Sequence, residues 1–355
     1  MAVGVLCRAT TRAQEPVPLL AYYYIWFDEQ SWDRAKTDYP LLGRYSSDDT
    51  EVMRQHVAWA QQAGIAGFIV SWKSTEKLNR RLKRLTDIAS SQGFALSLIY
   101  QGLDFDREPL AIERVAQDLE WFGEHYADQE PFLLFDRPLV IWSGTWEYTP
   151  EQVASVTDRL RERMLILASE RNVDGYLRLA DSVNGNAYYW SSVDPSETAG
   201  YVDKLSAMGE VIHARGGIWI APAAPGYDAR PLGGTRVVQR RDGETLRKQM
   251  GAAKQSAPDA IGLISWNEFS ENTHIEPSED FGIRYLDLLT TIDDELVPVP
   301  ITFGSDLLTD NSAEGAGSSL LALGMLATVM VASLVVIAVR RPAAGPGNLD
   351  SASNE

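Results

Sequence analysis

The chain has 355 residues, carries 32 Lys and Arg against 49 Asp and Glu, and is 45% hydrophobic and 23% charged, an ordinary globular composition. Its formal charge of -17 repels phosphate backbones and argues against nucleic acid as a partner. One cysteine, Cys7, excludes an intrachain disulfide or CxxC knuckle, and four histidines (His56, His125, His213, His274) without HxH or HExxH spacing argue against a metal site; no cofactor is expected.

Residues 1-16 begin MAVGVLC, only seven apolar residues before Arg8. That is too short for the apolar region of a signal peptide, so the segment reads as the remnant of a truncated one. The alternative is a tail-anchored protein with a cytosolic domain. From Leu19 onward, eight short apolar runs follow: Leu19 to Trp26, Gly67 to Trp72, Ala95 to Tyr100, Pro138 to Trp142, Met164 to Ala168, Asn186 to Trp190, Gly217 to Ala221 and Ile261 to Trp266. Each is 5 to 8 residues long with little polar alternation, as expected of parallel strands buried on both faces.

Helical signals alternate with these runs. The clearest starts at Asp48, where Asp-x-x-Glu51 resembles a capping box, with Val52, Met53, His56, Val57 and Ala60 on one face and Gly64 at its end. Others are predicted near Glu76 to Gln92, Pro109 to Tyr126, Pro150 to Arg163, Asp174 to Ser182, Thr198 to Arg215, Gly243 to Ala257 and Ser278 to Thr290. Eight strands alternating with eight helices over residues 17-292 match an α/β fold of the (β/α)8 TIM-barrel class. An open doubly wound sheet is the rival, but no GxGxxG or GxxxxGK[ST] loop follows any strand.

Beyond a juxtamembrane linker, residues 293-319, the run from 320 to 339 is free of charge and long enough for a bilayer core, which takes roughly 20 apolar residues as helix. Arg340 and Arg341 follow it, whereas Asp306, Asp310 and Glu314 precede it. The bias of basic residues toward the inner side then predicts a single-pass cell-membrane protein, with the barrel outside and residues 340-355 as a short cytoplasmic tail.

In a (β/α)8 barrel the chemistry sits at the C-terminal ends of the strands. Here Trp26, Trp72, Trp142, Trp190 and Trp266 each close an apolar run, and Tyr100 closes another. Flat rings with polar edges suit sugars, which offer C-H faces to stack and hydroxyls to bond. The expected substrate-binding set is these six with Tyr24, Gln101, Tyr189, Tyr227, Asp228 and Asn267; the plainer alternative is that some rings merely plug the barrel top. Glycan or polysaccharide is the expected partner.

Glycoside cleavage needs two carboxyl groups, one to protonate the leaving oxygen and one to act on the opposite side. Glu268 and Glu271 stand three apart just past the last run, and on a helical turn such a pair lies about 5 to 6 Å apart at Cβ, which suits retention of configuration. Two like charges so close would split their pKa values and keep one protonated. Glu147 and Asp228 are further acidic candidates, as catalytic groups or hydroxyl ligands, whereas Asp104 and Asp106 read as caps or solvated residues of the third loop.

The motifs YYYIWF (Tyr22 to Phe27), LLGRYSSDD (Leu41 to Asp49), AGIAGFIVSW (Ala63 to Trp72), APGYDARP (Ala224 to Pro231) and ISWNEFSENTHIEP (Ile264 to Pro277) together resemble glycoside hydrolase family 99 and its endo-α-mannosidase-like relatives. The last is the most specific, being similar to that family's Trp-Asn-Glu-Trp-His-Glu-Gly-Thr-Gln-Ile-Glu-Pro signature. The resemblance implies a retaining hydrolase in which Glu268 deprotonates the sugar's own 2-hydroxyl to form an anhydro-sugar, with Glu271 as general acid and then base. Departures fall at Phe269-Ser270, Asn272, Lys73 and Gln101, and are expected to alter sugar subsites rather than the mechanism. Two other classes share the aromatic rim: an inactive glycan-binding barrel, and a barrel serving polysaccharide assembly.

Overall fold

In the computed structural model the described residues are 17-292, apart from 34 and 105. Each apolar run of the sequence contributes a strand: β1 (Leu19–Tyr24), β2 (Gly67–Trp72), β3 (Ala95–Gln101), β4 (Leu139–Ser143), β5 (Leu165–Ala168), β6 (Gly185–Ala187), β7 (Ile218–Ala223) and, after a small hairpin of β8 (Tyr227–Asp228) and β9 (Val237–Val238), β10 (Ala260–Leu263). The eight longer-range partners close a parallel barrel in the order β1-β10-β7-β6-β5-β4-β3-β2. Alternation along each strand decides which side chains fill it. Leu20, Tyr22, Ile69, Ile99, Ile141 and Leu167 form the interior, while the residues between them pack outward under the helices.

Those helices are α1 (Thr50–Gln62), α2 (Glu76–Gln92), α3 (Ile112–Tyr126), α4 (Pro150–Leu160), α5 (Val173–Leu179), α6 (Tyr201–His213), α7 (Glu244–Gln255) and α8 (Arg284–Thr291). α2 keeps its predicted bounds because both ends carry a stop: Thr75 accepts from the Leu78 N–H at 3.3 Å, and Gly93 is left-handed at φ 62°. α1 corrects the sequence reading of its start. Asp49, not Asp48, is the N-cap, accepting from the N–H groups of Glu51 (2.9 Å) and Val52 (3.4 Å). Asp48 is instead drawn to the guanidinium groups of Arg81 (2.6 Å) and Arg84 (2.5 Å). Arg81, fully buried, also donates to the Ile25 carbonyl at 3.0 Å and so ties the end of β1 to α2.

β6 is shorter than its run of apolar residues. At Gly185 (φ 148°) a Cβ would meet the Ile218 carbonyl oxygen at 2.0 Å, so only glycine fits this approach to β7. β6 ends at Ala187, although the Tyr188 N–H still donates to the Ile220 carbonyl of β7 at 3.1 Å. α8 starts later than expected because Ser278 bridges both Pro40 and Gly282 in a turn. The expected membrane helix at 320-339, the N-terminal segment, the linker and the tail lie outside the described residues. Among the described residues no helix is long and apolar enough to cross a membrane.

Candidate active site

The chain that leaves β10 folds back on itself rather than starting a helix. The Ser265 N–H donates to the Thr273 carbonyl (2.9 Å), the Ile275 N–H to the Ser265 carbonyl (3.0 Å), and the Glu268 N–H to the Ser265 hydroxyl (2.8 Å). Asn267 clamps this loop to β1: its amide accepts from the Tyr24 N–H (2.8 Å) and donates to the Tyr24 carbonyl (3.0 Å) and the Tyr45 hydroxyl (3.2 Å). Below the clamp, Glu276 accepts from the Tyr45 hydroxyl (2.8 Å) and pairs with His56 Nε2 (2.9 Å), whose other ring nitrogen meets the Tyr23 hydroxyl at 3.0 Å. These paired buried groups, Asn267, Glu276 and His56, hold the loop and fix its side-chain geometry.

Glu268 and Glu271 are 2% and 5% exposed. Burial raises the pKa of Glu268, and Lys36 together with the Ser270 N–H, which donates to Glu268 at 2.9 Å, opposes that rise. Glu271 is pushed far higher, first by burial and then by the charge of Glu268, with only Arg107 opposing. Burial and the neighbouring charge of Glu268 thus both favour the protonated form of Glu271. Lys36 reaches the loop from the segment after β1, donating to Ser270 Oγ at 3.3 Å.

Tyr24, on the inward face of β1, shares a hydrogen bond with the hydroxyl of Tyr189, and burial raises both phenols, with the two glutamates adding to the rise. Tyr227 feels Glu271 and Glu268 in the same way. Trp26 lies against Tyr24 at 4.4 Å, Gln101 on the inward face of β3 donates to Ser71 at 3.1 Å, and Trp190 is half-buried in the segment after β6. Asp228 is engaged by Arg230 at 2.6 Å, while its backbone N–H donates to the Glu271 carbonyl at 2.8 Å.

Four expected sugar contacts are corrected. Trp72, Tyr100, Trp142 and Trp266 are each fully buried and turned outward, into the layer between barrel and helices. Trp72 pairs in register with Tyr100, and Tyr100 with Trp142. Trp72 packs on Trp121 and Phe122 at 5.9 Å each and donates to Asn79, Tyr100 donates to Asp118 of α3, Trp142 lies on Tyr148, and Trp266 lies on Phe68 and His56. Trp72, Tyr100 and Trp142 are one residue out of phase with the interior set, and Trp266 lies beyond the end of β10, so the final position of an apolar run is no guide to the mouth.

The model of glycosyl hydrolase family 99 matches residues 27-296. The chain belongs to glycosyl hydrolase family 99. It is 22% identical over 282 residues to the Homo sapiens glycoprotein endo-alpha-1,2-mannosidase-like protein, covering 72% of this chain and 61% of that one. To the Mus musculus glycoprotein endo-alpha-1,2-mannosidase it is 22% identical over 290 residues, covering 72% of this chain and 60% of that one. The chain therefore spans about three-fifths of the length of these relatives. The family 99 endo-alpha-mannosidase of Bacteroides thetaiotaomicron has the same fold, with a TM-score of 0.68 at 19% identity over 79% of this chain and 98% of that structure.

Two departures from the family 99 signature have local explanations. Asn272 takes a left-handed backbone (φ 52°), a conformation that glycine adopts freely and asparagine tolerates; its side chain donates to the Asp228 carbonyl at 2.9 Å. Phe269 stacks at 4.0 Å on His274, whose Nε2 donates to Asp38 at 2.9 Å. Burial lowers the His274 pKa to about 4, so the ring is neutral at pH 7. Lys36, Arg107 and Arg171 were absent from the sequence-based site. They follow β1, β3 and β5, and a count of cations in the loops at the strand ends would have found them.

Proposed function

We propose that this protein is a retaining glycoside hydrolase that cuts α-linked glycans, endo-α-mannosidase-like in its chemistry. The observation that carries the reading is the buried glutamate pair of unequal proton affinity beside Tyr24, Tyr189 and Tyr227. Glu268, the group that ionises first, takes the proton of the sugar's 2-hydroxyl. The freed oxygen closes on the anomeric carbon to give an anhydro-sugar, and the bond to the leaving oxygen breaks as Glu271 hands that oxygen its proton. Glu271, now a carboxylate, then deprotonates a water that reopens the ring, while Glu268 returns its proton to the 2-oxygen.

The half-buried Trp26 and Trp190 and the amide of Gln101 supply stacking and hydroxyl contacts in this reading. Residues 320-339 anchor the enzyme, with the 17-292 domain on the outer side and 340-355 inside. Protease added to intact cells should then remove the barrel and spare the tail. For the activity itself, the full chain is incubated with α-mannan and the first product is followed by proton NMR. Reducing ends of retained configuration are expected; inverted product, or none from any α-linked glycan, would overturn the proposal.

A further inference from the structure

Cations near the mouth differ in how they are partnered. Arg178 pairs with Glu170, Arg230 with Asp228 and Arg241 with Asp194, at 3.2, 2.6 and 2.7 Å. Arg107 and Arg171 do not follow that pattern. Among the described residues neither guanidinium has a carboxylate at ion-pairing distance, and the buried Nε of Arg171 has no hydrogen-bond partner. The neighbouring carboxylate of Glu170 is spent on Thr145 (2.8 Å) and Arg178 (3.2 Å).

Both cations are nevertheless held. The Arg171 guanidinium lies over Trp146 at 4.5 Å and over Trp190 at 4.9 Å, so two rings fix it by cation–π attraction that consumes none of its N–H groups. Arg107 projects from a loop stapled by the Asp104 N–H to the Glu108 carbonyl (2.9 Å), with the Asp104 carboxylate capping the N–H groups of Asp106 and Glu108. Its own backbone is left-handed at φ 68°, a conformation that a long side chain adopts only when the surroundings impose it. Burial lowers its pKa to about 10, and the charge of Arg171 adds to that while Glu147 and Glu271 oppose it, which leaves Arg107 charged at pH 7.

Half-burying a guanidinium with no carboxylate in direct contact leaves its N–H groups poorly satisfied, and a neutral sugar relieves this less than an anion does. The planar fork of arginine matches a carboxylate or a tetrahedral oxyanion, with charge-assisted bonds stronger than those to hydroxyls. We propose that Arg107 and Arg171 form an anion subsite beside the glutamate pair, so that the preferred glycan carries a carboxylate, phosphate or sulfate substituent. This rests on the hydrolase reading above and names its substrate class. On a chain of net charge -17, such a subsite also attracts an acidic glycan locally where the molecule as a whole repels it.

The test compares α-mannan with the same mannan oxidised to carboxylate at C6, phosphorylated, or sulfated. Binding and hydrolysis by the full chain are measured at low and high salt. At least one charged form should bind about tenfold tighter than neutral mannan at low salt, with the ratio shrinking as salt rises; the form that gains most identifies the substituent. In Arg171→Met and Arg107→Met the charged-to-neutral ratio should fall to about one, and Arg171→Lys should restore part of it. Because the ratio is internal to each variant, a general loss of folding does not mimic the result. A wild-type ratio near one, or a ratio the variants leave intact, would overturn the anion subsite. Neutral mannan cleaved with no charge preference would leave the hydrolase standing and remove the subsite; charge-selective binding without cleavage of any form would do the reverse.

Discussion

Replacing Trp72 by alanine should weaken the fold and leave sugar affinity alone, which separates the helix-facing ring from the mouth. The side chain is fully buried, lies 6.0 Å from Tyr100 and 5.9 Å from both Trp121 and Phe122, and donates its indole N–H to Asn79 at 2.9 Å. Truncating a buried tryptophan costs about 3 to 5 kcal/mol, because the lost transfer energy adds to that of the cavity left behind. For a domain of this size each kcal/mol lowers Tm by roughly 2 to 4 °C, so a fall of about 6 to 20 °C is expected. Scanning calorimetry reads the stability, and KM on an α-mannoside, taken well below the new Tm, reads the site. Trp190→Ala, at a half-buried position by the mouth, should show the opposite balance: a small Tm change and a raised KM. A Trp72→Ala variant with unchanged Tm and a raised KM would refute the outward placement.

Two predictions concern pH. Burial holds the folded pKa of Glu271 well above the ordinary 4.5, so its contribution to stability is complete below about 4.5 and is lost as pH rises through the folded value; Glu271→Gln should therefore gain in Tm over wild type from pH 5 to pH 8, and a constant offset would contradict this. His274 has the opposite sense: its folded pKa of about 4 lies below the ordinary 6.5, so stability is complete above 6.5 and is lost as pH falls toward 4, by about 3 kcal/mol at most. A His274→Gln variant should lose that slope in urea titrations at pH 7 and pH 4.5; an unaltered slope would show that another group carries it.

The barrel was legible because strands buried on both faces must read as continuous apolar runs, and all eight did. Their lengths were less legible. The run ending at Trp190 looked like one strand, but β6 ends at Ala187, and nothing in the run itself signals that end. The glutamate pair stood out because two carboxylates follow the last strand directly. The rim tryptophans misled because period-two alternation, not position at the end of a run, decides which way a ring points: Trp72 is out of phase with Ile69 and Ser71, as Trp142 is with Ile141 and Ser143. Applying parity to the sequence would have turned both away. Arg107 and Arg171 lie in loops with no periodicity, and only the folded chain sets Arg171 over Trp146 and Trp190.

The most direct test of the account is the leaving-group dependence of the two glutamate variants. The wild type, Glu268→Gln and Glu271→Gln are assayed on an α-mannoside with an activated aryl leaving group and on one with a sugar leaving group. Glu271→Gln should lose hydrolysis of the sugar glycoside yet keep part of its activity on the aryl one, because a good leaving group needs little protonation. Glu268→Gln should lose both about equally, since no leaving group replaces the base that frees the attacking oxygen. Near-normal turnover by Glu268→Gln, or equal losses on both substrates for Glu271→Gln, would contradict the assignment of base and acid and move the chemistry to Glu147 or Asp228.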